Sequence, residues 1–115
     1  MARYTSWFTV EVLPANLQQL LIDVLKACNL DIIYHTSDYM MAREIPGRTS
    51  FTKLVVVEVL FDKTISTLTE TRINIVVKNE QLPLQVNNHC YQMFQVVNQA
   101  IADNRQWQLL ESICG

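Results

Sequence analysis

Phe51-Thr52-Lys53-Leu54-Val55-Val56-Val57-Glu58-Val59-Leu60-Phe61 is followed, after a polar turn around Lys63 to Thr67, by Thr71-Arg72-Ile73-Asn74-Ile75-Val76-Val77-Lys78. β-branched and aromatic residues dominate both runs, a composition that fits strands. The first run is apolar on both alternating faces over most of its length, and the second is apolar on one face and polar on the other. That contrast predicts a central strand beside a more exposed one. The sheet they belong to has one face covered by helices and a second face only partly wet.

Upstream, Arg3 to Leu13 alternates, with Phe8, Val10 and Val12 pointing one way and Trp7, Thr9 and Glu11 the other, which predicts a first strand. Pro14 ends it. Asn16 can cap a helix running to about Cys28, in which Leu17, Leu20, Leu21, Val24 and Cys28 form one apolar stripe. Asn29 is placed to stop that helix in the left-handed conformation. Asp31 to His35 and Tyr39 to Ile45 read as further strands, separated by the polar break Thr36-Ser37-Asp38. Pro46-Gly47 has turn chemistry, with glycine taking a positive φ.

Downstream, Asn79 to Pro83 reads as a loop. A longer helix spans roughly Val86 to Asp103 and buries Cys90, Met93, Phe94, Val97 and Ile101. The tail from Trp107 to Ile113 fits either a helical or a strand period.

The order is strand, helix, four strands, helix. It predicts a single α+β domain over residues 1–115, a two-layer sandwich with a mostly antiparallel five-stranded sheet and two helices on one face. The connection through the first helix is a right-handed crossover if it joins parallel strands. This order resembles half of the TATA-binding-protein fold and shortened helix-grip domains. The likeness is one of topology, which does not transmit function.

Composition narrows the function classes. Half of the 115 residues are hydrophobic and 17% are charged, enough to bury a core in one domain. A net charge of -2 offers no field for phosphates, so nucleic acid is a disfavoured partner. No apolar stretch reaches the roughly eighteen residues of a membrane span, and the N-terminus runs into a strand pattern, so a soluble cytoplasmic protein with no membrane contact is expected. Cys28, Cys90 and Cys114 are an odd number, widely spaced, and are read as structural thiols in a reducing compartment. Two glycines, one of them Gly115, cannot build a glycine-rich phosphate loop. The 17 asparagines and glutamines are scattered over helices and connections and do not form a low-complexity run.

Residues that could carry chemistry are few. His89 and Cys90 are adjacent near a predicted helix start, yet a nucleophilic pair needs a lowered thiol pKa and Cys90 belongs to the buried stripe. His35, Asp38, His89 and Cys90 lack the tight ligand pairs of structural zinc. No catalytic residue, metal site or cofactor is therefore expected. Glu11, Glu44, Glu58 and Glu70 fall on different strands, and Glu58 is read as a cross-strand ion pair with Lys53, Arg43 or Arg72. Arg43, Arg48, Lys53, Arg72 and Lys78 could line one edge with Trp7 and Tyr39, but interleaved acidic residues make this an ordinary mixed-charge face.

What remains is apolar surplus. Five strands carry more apolar positions than two helices can cover, and contiguous exposed apolar surface usually marks a partner. The candidate interface is Trp7, Met40, Leu54, Val56, Leu60 and Trp107, serving a second copy of the chain or another protein. The competing expectation is that the tail, with Trp107, Leu109, Leu110 and Ile113, folds across that face. The resulting reading is a small non-enzymatic domain acting through a protein interface and self-associating. The alternative is a small-molecule binder or small enzyme with a pocket between the sheet and the last helix, with Tyr34, His35 and Tyr91 as polar handles.

Overall fold

Alternation in the sequence becomes a sheet in the computed structural model, which describes residues 2–12, 14–47, 53–62, 70–80, 88–104 and 107–114. In chain order the elements are β1 (Ala2–Glu11), α1 (Pro14–Ala27), β2 (Leu30–His35), β3 (Tyr39–Glu44), β4 (Val56–Asp62), β5 (Glu70–Asn79), α2 (His89–Asp103) and β6 (Gln108–Cys114). The strands form one sheet in the order β2-β3-β4-β5-β1-β6. Every pairing is antiparallel. β1 and β2 consequently run parallel, and α1 connects them across the three strands that lie between. This is an α+β fold, with six strands where five were expected; the additional one is β6.

Both helices lie on one side. α1 packs on β2, α2 packs on β1 and β5, and the helices touch each other. Between the layers sit Phe8 and Val10 of β1, Ile73, Ile75 and Val77 of β5, Val57 and Val59 of β4, and Met40 and Ala42 of β3. They meet Leu17, Leu21 and Leu25 of α1 and Phe94, Val97 and Ile101 of α2. Phe94 and Val57, expected at the centres of their stripes, are both buried.

Local chemistry explains the element ends. Asn29 follows α1 with φ 67°, the left-handed stop its side chain tolerates. α1 begins at Pro14, ahead of the expected cap at Asn16, because proline suits the first helical turn, where no backbone N–H is needed. α2 is capped by Asn88, whose side chain accepts from the Tyr91 N–H at 2.8 Å. The expected start of this helix at Val86 lies outside the described residues. β4 begins at Val56; Lys53 belongs to a short turn before it, and Phe51 and Thr52 lie outside the described residues. The turns at 63–67 and 81–83 lie outside them too. Gly47 does not take the expected positive φ, and a Cβ built on it meets nothing within 4 Å, so nothing here requires glycine.

β5 departs most from expectation. Its second face reads as polar and exposed, yet Asn74 and Val76 on that face are 7% and 3% exposed. The reason is position. β5 lies between β4 and β1, so register places Trp7 and Leu60 on either side of Asn74, and Thr5 and Glu58 on either side of Val76. The Asn74 amide also donates to the Ser6 carbonyl at 3.2 Å, which satisfies it where it is buried.

Candidate interaction face

The pleat assigns each strand residue to one of two faces. On β1 the even positions Phe8 and Val10 enter the core, which leaves Arg3, Thr5, Trp7, Thr9 and Glu11 on the face that neither α1 nor α2 covers. Register carries that parity across the sheet in rows. The middle row runs Ile113, Trp7, Asn74, Leu60, Tyr39 from β6 to β3. The row beside it runs Thr5, Val76, Glu58, Met41, Tyr34. One end carries Arg3, Lys78, Val56, Arg43 and Asp31, and the other carries Glu11 opposite Glu70.

Side chains on this face support one another. The Arg72 guanidinium lies 4.8 Å from the Trp7 ring centroid, a cation–π contact with the indole. Lys78 forms an ion pair with Glu58. The expected cross-strand pair at Glu58 therefore exists, but its partner is Lys78, which register places one row away on the neighbouring strand. Burial pushes the Tyr39 hydroxyl pKa up, and the nearby Glu58 carboxylate and its hydrogen bond to that hydroxyl raise it further. Leu60 and Ile113 remain 43% and 42% exposed.

Trp7, Val56 and Leu60 of the candidate interface share this face, and Leu54 is half-buried just before β4. Two candidates do not belong to it. Met40 is fully buried, because its register partner Val59 and its parity mates Ala42 and Glu44 face the helices; Met41 takes the outward position. Trp107 is also buried, with its indole N–H donating to the Ile101 carbonyl at 3.0 Å. It seals the C-terminal end of α2 on the helix side. The tail that carries it becomes edge strand β6, so it extends the open face and does not fold across it.

The candidate pocket residues are dispersed. Tyr34 and His35 are exposed on β2, one edge of the sheet, whereas Tyr91 lies on α2 near the other. Tyr91 does line a cleft of about 1000 Å³ between α2 and the β1–β6 edge, with Tyr4, Phe8, Phe94, Gln95 and Val96. Tyr4 meets Tyr91 edge-on with ring centroids 5.2 Å apart and stacks on Phe94 at 5.5 Å.

One polar site was not anticipated. Glu44 occupies a core-facing position of β3, and its carboxylate accepts from the Val55 N–H at 3.1 Å. The His89 Nε2 lies 2.8 and 3.0 Å from its two oxygens. The available signal was parity, since Glu44 is the single charged residue among Met40, Ala42 and Glu44. The pair joins the start of α2 to the sheet. Beside it Cys90 is fully buried, its Sγ 3.5 Å from the Val77 carbonyl, and burial pushes its pKa up to about 11, the reverse of what a nucleophile needs. Among the described residues no three His, Cys, Asp or Glu side chains gather to hold a metal, and no helix is long and apolar enough to cross a membrane.

No family model, curated protein or solved structure matches the chain.

Proposed function

We propose that this protein is a non-enzymatic interaction domain that self-associates through the face of its sheet opposite the helices. The observation that carries the reading is the one-sided placement of both helices. It leaves Trp7, Tyr39, Met41, Val56, Leu60 and Ile113 on a face with no second layer among the described residues. Apolar side chains held together on an uncovered sheet face gain free energy when a partner removes them from water. A symmetric dimer meets this need with one patch serving both partners.

The size fits as well. Strands about 4.8 Å apart, each of roughly eight residues at about 3.4 Å, give this six-stranded face an area of roughly 750 Å². Each partner in a standard-size interface contributes about 800 Å².

Acrylamide quenching of Trp7 tests the reading, with Trp107→Phe as background so that one indole reports. Quenching is expected to weaken as protein concentration rises and a second copy covers the face. Quenching that stays constant from micromolar to millimolar protein removes the reading.

The second reading, a small-molecule binder, draws on the aromatic cleft beside α2. It is favoured if an aromatic-fragment library raises the melting temperature of the Trp7→Ala protein, which keeps that cleft intact.

A further inference from the structure

The uncovered face is electrically polarised along its strands, and this determines how two copies can meet. β1 and β5 pair over their whole lengths, and that register sets Arg3 directly opposite Lys78 at one end and Glu11 directly opposite Glu70 at the other. Like charges facing across a strand pair weaken it. Lys78 is held by Glu58 and Glu70 has contacts of its own within the copy, so the exposed Arg3 and Glu11 are what chiefly distinguish the two ends. Arg43 adds to the basic end, where Asp31 at the far edge and Glu58 in the next row reduce the charge without reversing it. Arg72, over Trp7, similarly reduces the acidic end without reversing it.

Two sheets that pack face to face about a two-fold axis allow two simple choices for an axis in the interface plane. An axis along the strands lays each end over its own likeness, basic on basic and acidic on acidic. An axis across the strands, along the row of Trp7, Asn74 and Leu60, turns one copy end over end. It then lays Arg3 and Lys78 of one copy over Glu11 and Glu70 of the other, and places the Trp7 row against itself at the centre. Packed sheets lie about 10 Å apart and cross at about 30°, which displaces the ends sideways by little more than one strand. Each pair of like charges spans two strands, so basic still meets acidic. Long arginine and lysine side chains can reach across that gap.

Resting on the self-association read above, we infer that the protein forms an end-over-end dimer. Its two-fold axis crosses the strands at the Trp7 row, and each copy's basic end neutralises the other's acidic end. The arrangement sets basic against acidic at two rims around the Trp7 row, a distribution that specifies orientation more than raw affinity.

The test uses two full-length variants, Arg3→Glu and Glu11→Arg. Both positions are exposed, and each change sets opposite charges across the β1–β5 pair, so folding is preserved; circular dichroism checks this. Dissociation constants are read by sedimentation, and an equimolar mixture by native mass spectrometry. Each variant alone is expected to dissociate roughly tenfold more readily than wild type. The mixture is expected to form a heterodimer in preference to either homodimer. In it the carboxylate introduced by Arg3→Glu in one copy meets the guanidinium introduced by Glu11→Arg in the other, while the remaining rim keeps its native Arg3 and Glu11. Wild-type dimers with variants that associate equally or more tightly, or a mixture with no heterodimer preference, overturn the orientation and leave self-association standing. A monomeric wild type overturns both.

Discussion

Glu44 shows how much of a fold can rest on one side chain. A carboxylate in the core is tolerated only if its hydrogen bonds are made, and here the Val55 N–H and the His89 ring supply them. Replacing it by alanine strands a buried backbone donor and unties α2 from β3. Glu44→Ala is therefore expected to lose roughly 2–3 kcal/mol in urea denaturation, and Glu44→Gln, which keeps an acceptor, clearly less. An unchanged midpoint for Glu44→Ala would remove this role.

Cys90 is predictable in the same way. With no surface exposed and its proton held to about 11, it should react with iodoacetamide at neutral pH far more slowly than the same thiol in the urea-unfolded chain. The sign of the linked pH effect follows. The folded-state pKa is raised, so the unfolded chain releases this proton first. The contribution of Cys90 to stability is complete below the ordinary thiol value of 9.0 and declines as pH climbs towards about 11. Rapid native-state alkylation of Cys90 would restore the thiolate reading.

At the scale of elements, the periodic segments were legible and the tail was not. The apolar stripes of both helices, the parity of Trp7 against Phe8 and Val10, and the stop at Asn29 all follow from local chemistry, and the structure contains each. The tail resisted because β6 carries a bulge. Thr9 pairs with Glu111 and Val10 with Leu109, so Leu110 is an extra residue that breaks the period of two. β2 has the same interruption at Ile33, between Ile32 opposite Ala42 and Tyr34 opposite Met41, yet it was legible as a strand from its composition and the polar break after it. Met40 and Met41 could not be told apart because an adjacent identical pair carries no parity signal; only the pairing of Met40 with Val59 decides it. The Glu44–His89 pair joins residues far apart in sequence, and no local pattern announces such a contact.

The same scale predicts what the second helix contributes. Phe94 lies in the core and against the ring of Tyr4, so truncating it leaves a cavity between the layers. Phe94→Ala is expected to cost roughly 3–5 kcal/mol, a large share of what a domain of this size possesses. A loss below about 1 kcal/mol in equilibrium denaturation would show that α2 does not hold the sheet in this way.

The whole molecule is governed by an imbalance between one sheet and its cover. Six strands present two faces, and both helices go to one of them. The sequence signalled this surplus through a central strand that is apolar on both sides, Val57 and Val59 inward and Val56 and Leu60 outward. It did not reveal that the last strand would widen the face. Trp7 sits in its middle row, flanked by Ile113 and Asn74, and aromatic residues at the centres of interfaces carry disproportionate binding energy.

Sedimentation equilibrium of wild type and Trp7→Ala over a wide concentration range decides whether this face joins two copies around Trp7. The wild-type mass is expected to rise to twice that of the monomer, and Trp7→Ala, equally folded, to associate more weakly by at least about 2 kcal/mol. A wild-type protein that remains monomeric at the highest concentration, or a dimer indifferent to the loss of Trp7, would contradict it.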